Sequence, residues 1–147
     1  MPPRPSPPAL LRAAALCALL AACSPYEPPV VEASALSDTL DTRGPYQVAA
    51  RVKARRSLKV VELIWHNAAI GKGQGVHVAM TDDGTGVFRA VIPGSGLGAV
   101  IAYHVEAEDD FGDRGYWPEG AASGTGCAAQ QPPSPPPESC FKVLPSP

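Results

Sequence analysis

Aromatic residues make up only 6% of the chain, histidines number three, and no apolar run exceeds about ten residues. A bilayer core needs about 20 apolar residues to be crossed by a helix, so no membrane-spanning helix is expected. No stretch keeps a convincing 3.6-residue apolar period, which argues against amphipathic helices. Lysine and arginine together number 12 against 14 aspartates and glutamates. That balance lacks the basic footprint of a nucleic-acid binder, so no nucleic acid is expected as partner. There is no serine elbow, zinc helix motif, phosphate loop or dinucleotide fingerprint. Gly71-Lys72-Gly73-Gln74-Gly75 and Gly94-Ser95-Gly96 both lack the spacings those motifs need. The expectation is a non-enzyme without a cofactor.

What the chain does have is proline, 18 residues of it, glycine, and short valine-rich clusters. The clusters alternate with period two, as half-buried strands do. Val48, Ala50 and Val52 share one face, as do Val61, Leu63 and Trp65. The same holds for Val76, Val78 and Met80, for Phe88, Ala90 and Ile92, and for Ile101, Tyr103, Val105 and Ala107. Turn residues separate them: Gly71 to Gly75, Asp82 to Gly86, Pro93 to Gly98, and Asp109 to Gly112. Short strands at such spacing, each with one apolar face to cover, predict an all-β antiparallel sandwich or barrel.

The amino terminus reads as a leader: Arg4 and Arg12, the apolar run Ala13 to Ala22, then Cys23. Leu20-Ala21-Ala22-Cys23 resembles the lipobox of bacterial lipoproteins. That resemblance implies removal of residues 1–22 as a signal peptide and lipidation of Cys23. It also implies anchoring in the cell envelope, with Ser24 after the cysteine favouring the outer membrane. Several acyl chains, at about 0.8 kcal/mol per buried methylene, make a stable anchor. The mature chain then carries ten basic residues against fourteen acidic ones. Residues 23–35, with Pro25, Pro28 and Pro29, read as an extended tether that lifts the domain off the lipid.

A second resemblance covers roughly residues 30–117, with an extension to 144 left open, and places the sandwich at residues 36–117. Leu36 to Val48, Phe88 to Gly94 and Tyr103 to Asp109 are similar to the opening and later strands of immunoglobulin-like or fibronectin type III-like modules. This implies a single β-sandwich, with Tyr103 as the aromatic of its strand F. It says little about role, because the sandwich hosts many unrelated functions.

Cys127 and Cys140 remain after processing, and an oxidising envelope makes a disulfide between them the expectation. Residues 118–147 then read either as a Pro-rich loop leading to a last strand at 140–144, or as a tail with a local bridge. His66, His77 and His104 fall out of phase with the apolar residues and point outward. They would bind a transition metal if the strand of His77 joined the sheet of the other two. Asp82, Asp83, Asp109, Asp110 and Asp113 fall in turns at one end, with the Lys53, Arg55 and Arg56 turn. They are candidates for calcium, or for ordinary aspartate turn chemistry. Tyr116 and Trp117 either face a ligand or cover the core. The leading expectation is a non-catalytic recognition or scaffolding module with an envelope protein as partner. A calcium- or metal-binding protein, a passive spacer and a carbohydrate-binding module are the rivals.

Overall fold

The computed structural model describes residues 27–68, 75–118 and 139–145. The described residues form nine strands: β1 (Val30–Ala33), β2 (Tyr46–Lys53), β3 (Leu58–Asn67), β4 (Val76–Ala79), β5 (Thr81–Asp82), β6 (Val87–Ile92), β7 (Val100–Asp109), β8 (Arg114–Trp117) and β9 (Ser139–Lys142). They build two antiparallel sheets packed face to face, a β-sandwich. The first sheet runs β1-β2-β6-β5 and the second β4-β3-β7-β8, with β9 also on β7.

Strand β2 shows why the chain folds this way. Tyr46, Val48, Ala50 and Val52 are buried, while Gln47, Ala49, Arg51 and Lys53 are exposed. The sequence alternation thus matches the sheet's two faces. Strand β7 departs from simple half-burial. It lies between β3 on one edge and β8 and β9 on the other, pairing with β9 at Val100–Tyr103 and with β8 at Val105–Glu108. Its inner residues Ile101, Tyr103, Val105 and Ala107 are fully buried, and so is Ala102 on the outer face. Glu108 on that face is buried too. A small alanine between His66 and Cys140, and a carboxylate beneath Lys59 and Arg114, are covered by longer neighbours.

The core joins both sheets around an aromatic cluster. Tyr46 meets Phe141 edge-on at 4.9 Å between ring centroids, and Tyr103 lies 6.1 Å from Phe141 and 6.0 Å from Trp117. Phe141 and Val143 are buried, so the end of the chain supplies a strand of the second sheet and not a loose tail.

Within residues 23–35, expected to be an extended tether, Val30–Ala33 form a strand. Val30 to Ala33 pair with Lys53 to Ala50, and Val31 is buried in the core. The prolines that look like a spacer lead directly into the sandwich, because the two valines supply an apolar inward position and an open edge to pair with. Residues 1–22 and Cys23 lie outside the described residues, as do Cys127 and its neighbours 119–138.

Candidate functional site

One long side of the sandwich is sealed and the other is open. On the sealed side β1 lies against β8, with Pro29 carbonyl so near Gly115 that any Cβ there would overlap the carbonyl oxygen. After β1 the chain crosses between sheets. Leu36 N donates to the Tyr103 hydroxyl at 2.7 Å, and Thr39 pairs in parallel with Val143. Thr39 N donates to Lys142 O at 2.9 Å, and Leu144 N to Thr39 O at 2.7 Å.

On the open side β4 edges the second sheet and β5 the first. Met80 joins them, buried in the gap, with its N donating to Val61 O at 2.8 Å. The expected strand through Val76, Val78 and Met80 therefore changes sheet at Met80. A cleft of ≈ 680 Å³ opens here, lined by Val52, Leu58, Val61, Met80 and Phe88, with exposed Lys59 and Asp82 beside them. The outer edge of β4 faces no strand among the described residues, and Val76 is 48% exposed.

The outer face of the second sheet carries a ladder of charges. Lys59 Nζ lies 2.5 Å from Glu108 Oε1, Arg114 NH2 2.8 Å from Glu108 Oε2, and Arg114 NH1 2.8 Å from Glu106 Oε1. A β-bulge at the start of β3 accompanies the first contact. The Lys59 hydrogen bond holds the Glu108 carboxyl below its ordinary range against the opposing effect of burial, helped by the charges of Lys59 and Arg114. Glu106, then Glu108, raise the Arg114 guanidinium above its usual value.

The histidines share this face, and β4 does sit in the sheet of β3 and β7. His77 and His104 flank Ile64 in one row, with His66 one step along β3. Ile64, though on the outer face, is buried between them. His77 Nδ1 lies 3.1 Å from Glu62 Oε2, a carboxylate partner on its own sheet. Among the described residues no group of three His, Cys, Asp or Glu side chains is placed to hold a metal ion.

The acidic turns do gather at one end with the basic one, because β2, the start of β6 and the end of β7 finish together. Three of the five carboxylates accept hydrogen bonds within their own turns. Asp82 Oδ1 accepts from Gly84 N at 2.9 Å. Asp83 Oδ1 accepts from Thr85 N at 3.0 Å and from the Thr85 hydroxyl at 2.6 Å, and that hydroxyl is the main cause of the lowered Asp83 pKa. Asp109, 1% exposed, accepts from Phe111 N at 2.9 Å and Asp113 N at 3.0 Å and so fixes the β7–β8 turn. Asp110 is exposed, and Asp113 lies 4.0 Å from Arg56.

Trp117 faces inward against Tyr103 and covers the core, whereas Tyr116 faces out opposite Glu106. Cys140 stands in β9 opposite Ala102. Three features were missed from the sequence: the sheet switch at Met80, the close approach at Gly115, and Phe111, 72% exposed beneath the Arg56 guanidinium at 4.0 Å. The Asp-Asp-Phe-Gly-Asp run that carries Phe111 was a visible signal, since an aromatic at the tip of a turn has no core to enter. No protein-family model matches the chain, and no curated protein is similar to it.

Proposed function

We propose that the mature protein is a lipid-anchored, non-catalytic recognition module of the cell envelope, held in the outer membrane through Cys23, that receives an extended segment of a protein partner along β4. The observation that carries this reading is the open edge at Val76–Ala79, free of lysine and proline and bordering the cleft at Ala79. Exposed edges of this kind offer main-chain donors and acceptors to an added strand unless charge or proline blunts them. The leader ending Leu20-Ala21-Ala22-Cys23 supports the anchor. Lettering the strands in order, A-B-E-D in one sheet and C′-C-F-G in the other with G in two pieces, supports an immunoglobulin-like or fibronectin type III-like identity.

The cysteines Cys127 and Cys140 belong to the same reading. Trp117 opposes Val105 and Ser139 opposes Tyr103, so strand G is interrupted and resumes about 7 Å further along β7. A Cys127–Cys140 disulfide would hold the intervening chain to that edge, and its reduction is expected to lower stability by about 3 kcal/mol.

The test is comparative capture from detergent-solubilised envelopes after mild crosslinking. The unaltered lipoprotein should retain a protein that the Val76→Lys/Ala79→Lys variant loses, at an unchanged melting temperature. Amide exchange at residues 76–79 should slow in the complex. Equal capture by both, or recovery of the unaltered protein alone, overturns the proposal.

A further inference from the structure

The way the chain enters the sandwich decides which end faces the lipid. Val30 opposes Lys53, so β1 starts at the end that holds the β2–β3 and β7–β8 turns. Glu27 is already there, its Oε2 3.3 Å from Arg55 NH2. Between Cys23 and Glu27 stand Ser24, Pro25 and Tyr26, whose full extension spans at most about 14 Å. A tether running to residue 35 would have offered about 37 Å at 3.1 Å per residue. The domain has taken up most of that length as β1 and the segment packed on Gly115.

The polar layer of one leaflet is about 5 to 7 Å deep. An acylated Cys23 sits at that layer, which brings the turn-bearing end of the sandwich against it. At this end Phe111 projects, 72% exposed, with the Arg56 guanidinium 4.0 Å over its ring. Arg56 NH1 is 4.0 Å from Asp113, and Arg89 NH2 is 3.3 Å from Asp83, so the basic groups here have acidic neighbours. The end therefore offers an apolar ring with a cation above it, at a place where carboxylates, exposed Asp110 among them, outnumber the basic groups. An aromatic ring suits the glycerol and carbonyl level of a bilayer, and a guanidinium suits a phosphate.

We infer that this end is a second membrane contact, in which Phe111 enters the interface of the phospholipid bilayer carrying the anchor and Arg56 meets its phosphates. The inference rests on the lipid-anchor reading of Cys23. It turns the tether from a spacer into a short strap and fixes the orientation of the domain. The opposite end, with Leu97 64% exposed, stands about 30 Å away by the length of β7 and points from the surface. The β4 edge runs upright between the two ends, reachable from the side.

The test uses the full lipidated protein in phosphatidylcholine vesicles with brominated acyl chains, which quench nearby indoles. Trp65 and Trp117 pack against the core and form the background. Phe111→Trp should add emission that bromolipid largely removes, whereas emission added by Leu97→Trp should survive. Melting temperatures check that both variants fold, and the mass of the amino-terminal peptide reports acylation. An acylated peptide with an unquenched indole at position 111, or with equal quenching at both positions, overturns the orientation alone. An unacylated peptide overturns the anchor and the orientation together.

Discussion

The two long sides of this sandwich solve the same problem in opposite ways. Where β1 meets β8, the sheets are joined by main chain: Pro29 carbonyl against Gly115, Leu36 N to the Tyr103 hydroxyl, and Thr39 bonded to Lys142 and Leu144. Where β4 meets β5, Met80 crosses between the sheets and a cleft remains beside it. Backbone contacts of the first kind leave no room for a side chain at Gly115, although a groove of ≈ 430 Å³ lined by Pro29, Val31, Arg114 and Tyr116 lies over the junction. The second kind leaves an edge and apolar surface uncovered, which is why binding is proposed there. The difference teaches that openness in a small sandwich is local and is set against a side closed by backbone contact.

The comparison breaks most directly at Gly115. A Cβ at this position overlaps a carbonyl oxygen and lies 2.7 Å from the Pro29 carbonyl carbon, and no rotamer change relieves a backbone contact. Gly115→Ala is expected to cost about 3 kcal/mol in urea unfolding as β1 is pushed away. On the open side, Gly84 has φ +85° with no atom within 4 Å of a Cβ. Gly84→Ala should cost about 1 kcal/mol, from backbone strain alone. Equal losses would mean that the β1–β8 contact is not a firm closure.

Met80→Ala probes the open side from within. The side chain is 8% exposed and packs among Val52, Val61 and Phe88. Truncation is expected to cost about 2 kcal/mol, at the low end for a buried methionine, because the space it leaves joins an existing cleft. Thermal unfolding of the folded variant measures this. A loss as large as that at Gly115 would show that the cleft side is as tightly held as the sealed one.

How much of this was legible in the residues follows from what each feature depends on. The faces of β2, β3, β6 and the inner face of β7 are local alternation, and Val48, Leu63, Ile92 and Tyr103 all lie where it puts them. The outward phase of His66, His77 and His104 is equally local. Strand β1 was hidden because Pro28 and Pro29 look like a spacer, and four residues are too few to show a period. The sheet switch at Met80 and the tight contact at Gly115 depend on segments distant in sequence, which no local pattern encodes. Asp109 read as one turn aspartate among several; only its burial distinguishes it.

A smaller effect is expected at Tyr103. Its ring is fully buried in either variant, so Tyr103→Phe removes little more than the acceptor for Leu36 N. About 1 kcal/mol is expected, with hydrogen exchange at Leu36 accelerated. Unchanged exchange would mean that the crossover after β1 is held by the Thr39 bonds instead. That result would shift the closure towards β9 without abolishing it.

The finest comparison is by pH. Glu108 lies below Lys59 and Arg114, whereas Asp83 lies in the open-side turn before β6, and both carboxyls are held below their ordinary range. A carboxylate whose folded pKa is depressed contributes stability that is present above its unfolded pKa and lost as pH falls through the folded one. Lys59→Met removes the main cause at Glu108, so its pKa should rise and acid unfolding should begin at higher pH. Thr85→Ala removes the main cause at Asp83, whose pKa should rise likewise. Asp83 is the more exposed, with its side chain 30% accessible against 9% for Glu108. Solvent screens the exposed group, so its substitution should move the acid unfolding midpoint less. Carboxyl titration by NMR gives the two pKa values, and stability curves from neutral pH down to about pH 2 give the two midpoints. A larger midpoint shift from Thr85→Ala would place the acid-sensitive contact on the cleft side and reverse the asymmetry.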